Sequence, residues 1–408
     1  MSISGRNVDT LRRANLSTVL ELVHRSGGIS RSQLTAATGL TRSTVAVLVG
    51  ELVDLELVVE TDPETTNRVG RPSPLVVPAP GPVVIAVNPE LDAVTIAVVG
   101  LSARVEQRIR RGMDHIVTPG ETVEIVVETL SALRKSALRG RRVFAIALAV
   151  PGLVRADGLV KWAPHLDWVD APVADLVAAR TGIPTVAGND ASAGGVAELL
   201  FGVGADCADL IYLNGGASGI GGAVIADGRL IGGASGYAGE FGQNRPGVLD
   251  PADRQTARGV LEDEVSRDRL LAVLGAGNVD EEQLEAMLLG SRDDAVVGEL
   301  ARQRRVLGAA VSNAVNVLNP SLVILGGFLG AVLASDPDDL ARSVADSSVA
   351  ASWSDTVISP AGLAADRLMI GAAELGFAAL IADPSGAVAA AVERESHALH
   401  ARRDPARS

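Results

Sequence analysis

The chain has 408 residues, 47% of them hydrophobic, and a formal net charge of −13. That length implies two or three folding units with a sizeable core. The acidic balance argues against nucleic-acid binding spread over the whole surface, and a single cysteine, Cys207, excludes an intramolecular disulfide and a multi-cysteine zinc site. No run of about 18 apolar residues suggests a membrane span, and no basic-then-apolar leader opens the chain, so a soluble, cytoplasmic protein is expected. The charge is uneven. Residues 1–80 balance eight arginines against eight carboxylates, which leaves the acidic excess to the rest of the chain.

Near the N-terminus, "LRRANLSTVLELVHRSGG" sets Leu16, Val19, Leu20 and Val23 at helical spacing and stops at Gly27-Gly28. "SRSQLTAATGL" predicts a short helix capped by Ser30 and ended by Gly39, and "TRSTVAVLVGELVDLELV" a third helix capped by Thr41. Two helices across a Gly-containing turn form the helix-turn-helix pattern. "LVVE", the polar "TDPETTNRVGRPSP" and "LVV" then predict a hairpin with a long tip, a wing. In the third helix Val45, Leu48, Val49 and Leu52 make the core stripe, leaving Arg42, Ser43, Ala46 and Val47 outward near its start, where a recognition helix meets base edges. The candidate DNA contacts are therefore Thr41, Arg42, Ser43 and Thr44, with Arg42 suited to a guanine edge and Ser43 and Thr44 to phosphates. In the wing, Arg68 and Arg71 flank Gly70 and suit the minor groove or the backbone. The competing reading is a small helical interaction domain with a solvated polar face. His24 reads as a surface or boundary residue.

"VPAPGP" at 77–82, with three prolines and a glycine, predicts a linker between a head of residues 1–76 and a body of residues 83–384. In the body "VVIAVNPELDAVTIAVVG" reads as two strands around a turn, "ARVEQRIRRGM" as a third, and 120–138 as a helix. "VFAIALAVPG" is a buried strand, and "IPTVAGNDASAGGVAELLFG" a short strand running into a helix. "ADLIYLNGGASGIGGAVIADGRLIGG" is two strands around a Gly-rich turn; helices dominate 253–318, "SLVILGGFLG" is a strand, and "RLMIGAAELGFAALI" is a helix. Residues 385–408 are Ala- and Arg-rich and predict a frayed or disordered tail.

Four stretches carry candidate chemistry. "GND" (188–190) ends a strand and starts a helix, where α/β ligand sites collect. Asp190 there suits proton removal from a hydroxyl or a hydrogen bond to one, but an Asn/Asp helix cap explains the motif as well. "GEFGQNRPGVLD" presents Glu240 from a polar loop rich in glycine. The Gly-rich "NGGASGIGG" (214–222) lets backbone amides approach phosphate or sugar oxygens, as does "LGGF" (325–328), though hairpins use glycine too.

The ordered fragments "AVPGLV", "WAPHLDW", "GNDASAGGVAELLFG", "GIGGAVIADGRLIGGASGYAGEFG", "RGVLE", "LNPSLVILGG" and "GAAELG" resemble the ROK family of bacterial repressors and sugar kinases. The resemblance runs from about residue 12 to 383, and the head ending in "GRPSP" is similar to the winged helix-turn-helix of the family's transcriptional members. It implies an α/β body of two actin-like lobes (RNase H-like, hexokinase-type ATPase fold) with a sugar in the cleft. Asn189 and Asp190 match the pair that binds sugar hydroxyls, and Asp190 the catalytic base of kinase members. Glu240 matches the glutamate that binds the sugar; Ser218 to Gly221, including Gly219, match an ATP phosphate loop, and Gly326-Gly327 a turn near the adenosine. Trp162, His165 and Trp168 are cleft candidates, though aromatic residues beside a turn are more often core.

The departures from the family matter as much. Its kinases open the body with an Asp-x-Gly-x-Thr type turn; here "NPELD" (88–92) has Pro89 without an amide donor and adds Glu90 and Asp92. Phosphoryl transfer rests on positioning and charge stabilisation, so this opposes kinase activity and ATP binding. The family's zinc ligands are missing too: Gln243 takes the histidine position, Val260 a cysteine position, and the five histidines (24, 115, 165, 397, 400) lie elsewhere. No metal is expected, and Gln243 is left to offer an amide to the sugar. The expectation is a DNA-binding regulator, a repressor in the first instance, that senses a sugar or sugar derivative and binds operator DNA as a homodimer or homotetramer, with no cofactor and no membrane partner. A sugar kinase with a DNA-binding head, and a DNA-binding protein whose body only oligomerises, are the alternatives.

Overall fold

The structure is a computed structural model and describes residues 3–61, 73–247, 250–277 and 279–403. The head comprises α1 (Ile3–Ser26), β1 (Ile29–Ser30), α2 (Arg31–Thr38), α3 (Arg42–Asp54), β2 (Val58–Thr61) and β3 (Leu75–Pro78). Ser30 accepts from the Gln33 amide while the Gln33 side chain caps Ser30 in return, and Gly39 closes α2 at φ 68°, a left-handed position that glycine adopts without strain. Thr41 accepts from the Thr44 amide at the start of α3. The predicted stripe of Val45, Leu48, Val49 and Leu52 is buried against Leu16, Val19, Leu20, Val23 and Leu34. The strands pair in the order β1-β3-β2, giving a winged helix. Its wing tip, with Arg68 and Arg71, lies outside the described residues.

The body holds two five-stranded sheets. The first uses β4 (Pro82–Pro89), β5 (Ala93–Gly100), β6 (Val105–Gly112), β7 (Arg142–Val150) and, after a small antiparallel sheet of β8 (Leu153–Val154), β9 (Val160–Ala163) and β10 (Trp168–Ala171), β11 (Thr185–Asn189). Its order is β11-β7-β4-β5-β6. The second uses β12 (Leu210–Gly216), β13 (Gly219–Ala226), β14 (Arg229–Leu230), β15 (Leu322–Gly327) and β16 (Val357–Pro360) in the order β14-β13-β12-β15-β16. Both read third-second-first-fourth-fifth, the repeated topology of a two-lobed actin-like body. Every residue of β4 and β5 is buried, as in strands covered on both faces, whereas edge strand β6 turns its arginines outward.

Helices α4 (Pro119–Leu133) and α5 (Val173–Thr181) cover the outer face of the first sheet, against Val83, Ile85 and Val87. Around the second sheet lie α7 (Leu261–Glu264), α8 (Arg267–Leu274), α9 (Glu281–Gly290), α10 (Asp294–Leu318), α11 (Phe328–Ser335), α12 (Pro337–Ser347) and α13 (Ala350–Trp353). Two helices sit between the sheets: α6 (Asp190–Phe201) packs on β12 and β13, and α14 (Arg367–Ala382) on β4 and β7. The chain ends in α15 (Pro384–Arg403). No single helix among the described residues is long and apolar enough to cross a membrane.

Three expectations are corrected. The proline-rich segment is no free linker: Pro78 pairs with Val58 in the head, Pro82 with Arg142 in the body, and the buried Ala79 donates to the Leu57 carbonyl at 2.9 Å. The prolines end two strands and leave a junction of only residues 79–81. The tail is helical from Pro384 to Arg403, because alanine favours helix and Val388 and Ala391 bury against a cluster shared by α1 and α14. His24 is 1% exposed. Its Nδ1 lies 2.5 Å from the Leu101 carbonyl and its Nε2 3.1 Å from both Glu374 oxygens. Burial opposes protonation of this ring, but Glu374 and the Leu101 carbonyl outweigh it and hold its pKa above the ordinary 6.5.

Head, first lobe and terminal helix thus share one apolar cluster. Ala391→Asp, which places an unpaired carboxylate in it, is expected to lower unfolding free energy by about 2–4 kcal/mol in urea titrations. A cost no larger than that of an exposed control, Glu393→Gln, would show that α15 does not dock.

Candidate functional site

Between the lobes lies a cavity of about 180 Å³ reached by Gly152, Trp162, His165, Asn189, Asp190, Asn214, Ser218, Gly219, Gly221, Glu240, Gln243 and Glu262. Of the aromatic candidates, Trp162 and His165 reach it; Trp168 is buried in the first lobe and donates from Nε1 to the Val117 carbonyl at 2.8 Å. Asn189 caps α6: Oδ1 accepts from the Ser192 amide at 2.8 Å, and Nδ2 donates to the Gly152 carbonyl at 3.0 Å and to Asp190 at 3.3 Å. Its amide is therefore engaged within the protein and positions Asp190. Asp190 accepts from the Ala191 amide through Oδ1 at 2.8 Å, and burial raises its pKa, only partly offset by that amide and the distant charge of Arg367.

Glu240 stands at the cleft mouth, and desolvation by the walls, then the charges of Asp190 and Glu262, raise its pKa as well. Its flanking glycines have a packing cause. Gly239 has φ 98° and rests on the Gly222 carbonyl, while Gly242 rests on that of Ile220, so a Cβ at either position collides with β13. The loop lies against that strand and presents Glu240 and Gln243 to the cavity. Gln243 donates to Glu262 at 2.5 Å and accepts from Arg258 at 3.0 Å, tying the loop to α7.

The Gly-rich turn joins β12 to β13. Gly219 admits Glu262 and Gly221 admits Ala191, so these glycines serve close packing around the cleft. Gly326 and Gly327 do not line the cavity; they make room for Asn214 and for the Gly215 carbonyl behind it. Two residues escaped the sequence reading. Glu262 adds a third carboxylate, and "RGVLE" gave no cue that it turns inward. Asn214 accepts through Oδ1 from Arg367 Nε at 3.0 Å and from the Tyr212 hydroxyl at 3.1 Å. Because Arg367 can only donate, the amide orientation is determined and the NH₂ faces the cleft. Arg367 itself is clamped by both Glu281 oxygens. An asparagine in an otherwise apolar strand was the available signal.

A second hollow of about 250 Å³, backed by Phe241 against Ala310, Ala314, Val317 and Leu318 on α10, carries no carboxylate and is separate. On the head, Arg42 and Ser43 are exposed beside Thr41 and Val47 is 61% exposed, while Thr44 is half-buried. The hydroxyls of Ser43 and Thr44 lie 2.9 and 2.8 Å from that of Thr41, so the four candidates form one patch at the start of α3.

A model of the ROK family matches residues 85–378. The chain belongs to the ROK family. A model of the MarR family matches residues 17–68, the head. A xylose repressor of Caldicellulosiruptor bescii is 26% identical over 337 residues, covering 78% of this chain and 84% of the relative. The DNA-binding transcriptional dual regulator NagC of Escherichia coli is 23% identical over 341 residues, covering 79% and 82%. Among solved structures, a ROK family transcriptional regulator homologous to the E. coli MLC protein covers 93% of this chain and 99% of its own, at 24% identity and TM-score 0.73. A ROK family glucokinase from Streptomyces griseus covers 72% and 98%, at 24% identity and TM-score 0.59.

The residues present do not fit the zinc of other ROK members. Gln243 is committed to Glu262 and Arg258, Val260 is buried, and no group of three or more potential ligands gathers among the described residues. The "NPELD" turn is likewise spent internally: the Glu90 amide donates to Ala93 at 2.7 Å, its carboxylate accepts from Thr95 at 2.5 Å, and Arg110 pairs with Asp92 at 2.6 Å. Arg110 offsets the negative charge expected to repel phosphate, but Pro89 has no amide to offer there.

A carboxyl group whose pKa is raised by folding destabilises the folded state above its unfolded pKa and ceases to do so as pH falls below that value. Asp190→Asn keeps the Ala191 hydrogen bond and removes the charge. Its thermal midpoint is expected to exceed wild type at pH 7, with the gain shrinking as pH approaches the ordinary 3.8. An equal gain at both pH values would rule out charge burial as the cause.

Proposed function

We propose that this protein is a sequence-specific transcriptional repressor whose cleft takes a neutral, unphosphorylated sugar as effector and transfers no phosphate. The observation that carries the reading is the joining, in one chain, of a MarR-type head exposing Arg42 to a cleft that presents Asp190 and Glu240. Three carboxylates, and among the described residues no lysine or arginine, line that cleft, which favours hydroxyl donors and disfavours a sugar phosphate. The repressor names of the relatives, for xylose and for N-acetylglucosamine, support the same class. In this reading Asp190, Glu240 and Glu262 accept from sugar hydroxyls, Asn214 donates to a ring or carbonyl oxygen, and Asn189 and Gln243 hold the first three in place. Sugar binding biases closure of the lobes, which changes the spacing of two heads in a homodimer or homotetramer on a two-fold operator. Neither ATP nor a metal has a part.

The kinase alternative rests on Asp190 and is opposed by the "NPELD" turn. Thermal unfolding against pentoses, hexoses and N-acetylhexosamines decides the effector. A sugar at 100 times its dissociation constant adds about 2.7 kcal/mol to the native state, and Asp190→Ala and Glu240→Ala are each expected to abolish that gain. A wild type unmoved by the whole panel overturns the effector; sugar-dependent ATP turnover above background revives the kinase. For the head, Arg42→Ala is expected to cost about 1–3 kcal/mol of affinity for a duplex selected by the wild type from a random pool. Unchanged affinity would remove Arg42 from the interface.

A further inference from the structure

Both ring nitrogens of His24 face acceptors: the Leu101 carbonyl on one side and the Glu374 carboxylate on the other. A carbonyl only accepts, so Nδ1 carries a proton and donates; Nε2, equidistant from two carboxylate oxygens, donates as well. The ring is clasped edge-on by Phe201 at 5.3 Å and 83° and by Phe377 at 5.8 Å and 61°. His24 belongs to α1 of the head, and every other member of this cage belongs to the body.

Leu101 follows β5, while Phe201 sits on α6, which starts at the cleft, and Glu374 and Phe377 on α14, which packs against α6. Phe201 is the last residue of α6, whose first residue is Asp190, so one helix of about 18 Å joins the proposed sugar contact to the His24 ring. Glu374 and Phe377 lie on α14, which begins at Arg367, the residue that orients Asn214. Leu375, next to Glu374, packs under Gly188, two residues before Asp190. The helices themselves meet at backbone distance, Gly371 of α14 lying on the Ala193 carbonyl of α6. Such joints shift as units, because a close-packed interior leaves little room to absorb displacement.

We propose that His24 is the positioning residue through which the head reads the cleft: displacement of α6 and α14 on sugar binding reaches α1 through the Glu374–His24–Phe201 cage. The inference rests on the reading given under Proposed function. The contact links two domains that an ordinary flexible hinge leaves independent, and it spends a charged hydrogen bond on a site that an apolar residue fills as well.

The test uses full-length protein, the panel sugar giving the largest shift, and the selected duplex. The duplex dissociation constant is measured with and without saturating sugar, and their ratio is the coupling, typically about 5- to 150-fold in regulated proteins. His24→Gln and the isosteric Glu374→Gln are each expected to bind sugar and duplex separately within about threefold of wild type, while the ratio falls to within about threefold of one. A merely structural role weakens both duplex constants together and leaves their ratio intact; that result in either folded variant overturns the inference. If His24→Gln fails to fold, Glu374→Gln decides alone. A wild type that binds sugar and duplex with a ratio of one overturns both the inference and the effector mechanism, whereas a coupled wild type with unaltered variants overturns only the inference.

Discussion

The crossing of α6 and α14 at Gly371 and Ala193 is the contact on which the rest of the molecule depends. Any side chain at Gly371 strikes the Ala193 backbone, so only glycine lets the two helices share the space between the sheets. Each helix belongs to a different sheet, α6 to the second and α14 to the first. Their joint therefore sets the angle between the lobes. It also aims both helices outward, so that the start of α6 meets the cleft and the start of α14 backs Asn214, while Phe201 and Glu374 meet the head. Small residues recur along this seam, with Gly194 and Gly195 of α6 admitting Tyr212 and Ala223 of the second sheet. The helix predicted after "GND" thus proves to be a double-sided spacer.

The cleft is built against the grain of stability. Asp190 carries a raised pKa because it is desolvated, and Glu240 because it is desolvated and close to Asp190 and Glu262, a cost that a protein selected only for folding would shed. Elsewhere among the described residues the buried arginines are matched: Arg302 lies with Glu264 and Glu299, Arg304 with Asp339, and Arg367 with Glu281, while the buried Glu198 is held by the Val203, Gly362 and Leu363 amides. Paired charges in the second lobe thus contrast with the three carboxylates of the cleft, whose lining among the described residues holds no lysine or arginine.

Much of this was legible in the sequence because local chemistry dictated it. Ser30, Gly39 and Thr41 announce the limits of α2 and α3 through capping and left-handed backbone, and the Val45 to Leu52 stripe announces the buried face. The ordered body motifs placed Asp190, Glu240 and the hairpin glycines in one cavity. What escaped depended on partners distant in the chain. His24 looks like a polar residue near a helix end until Glu374, 350 positions later, comes to meet it. The prolines of 77–82 read as a spacer because sequence does not reveal that strands claim both ends. The alanine-rich tail reads as frayed because two small side chains, Val388 and Ala391, make too faint a stripe to advertise docking.

Three restraints hold the Glu240 loop among the described residues. Gly239 and Gly242 press its backbone onto β13, the Gln243 amide bridges Glu262 and Arg258, and the Asn244 carbonyl accepts from the Leu261 amide at 2.8 Å. Hydrogen bonds of this kind contribute on the order of 1 kcal/mol each, far less than the roughly 10–16 kcal/mol of a structural zinc site. A loop held this way is correspondingly easier to displace, and its restraint now depends on Glu262, a carboxylate that also faces the cleft. A hydroxyl donor that reached Glu262 would compete with Gln243 for that carboxylate, so the restraint of the loop is tied to the contents of the cleft that Glu262 faces.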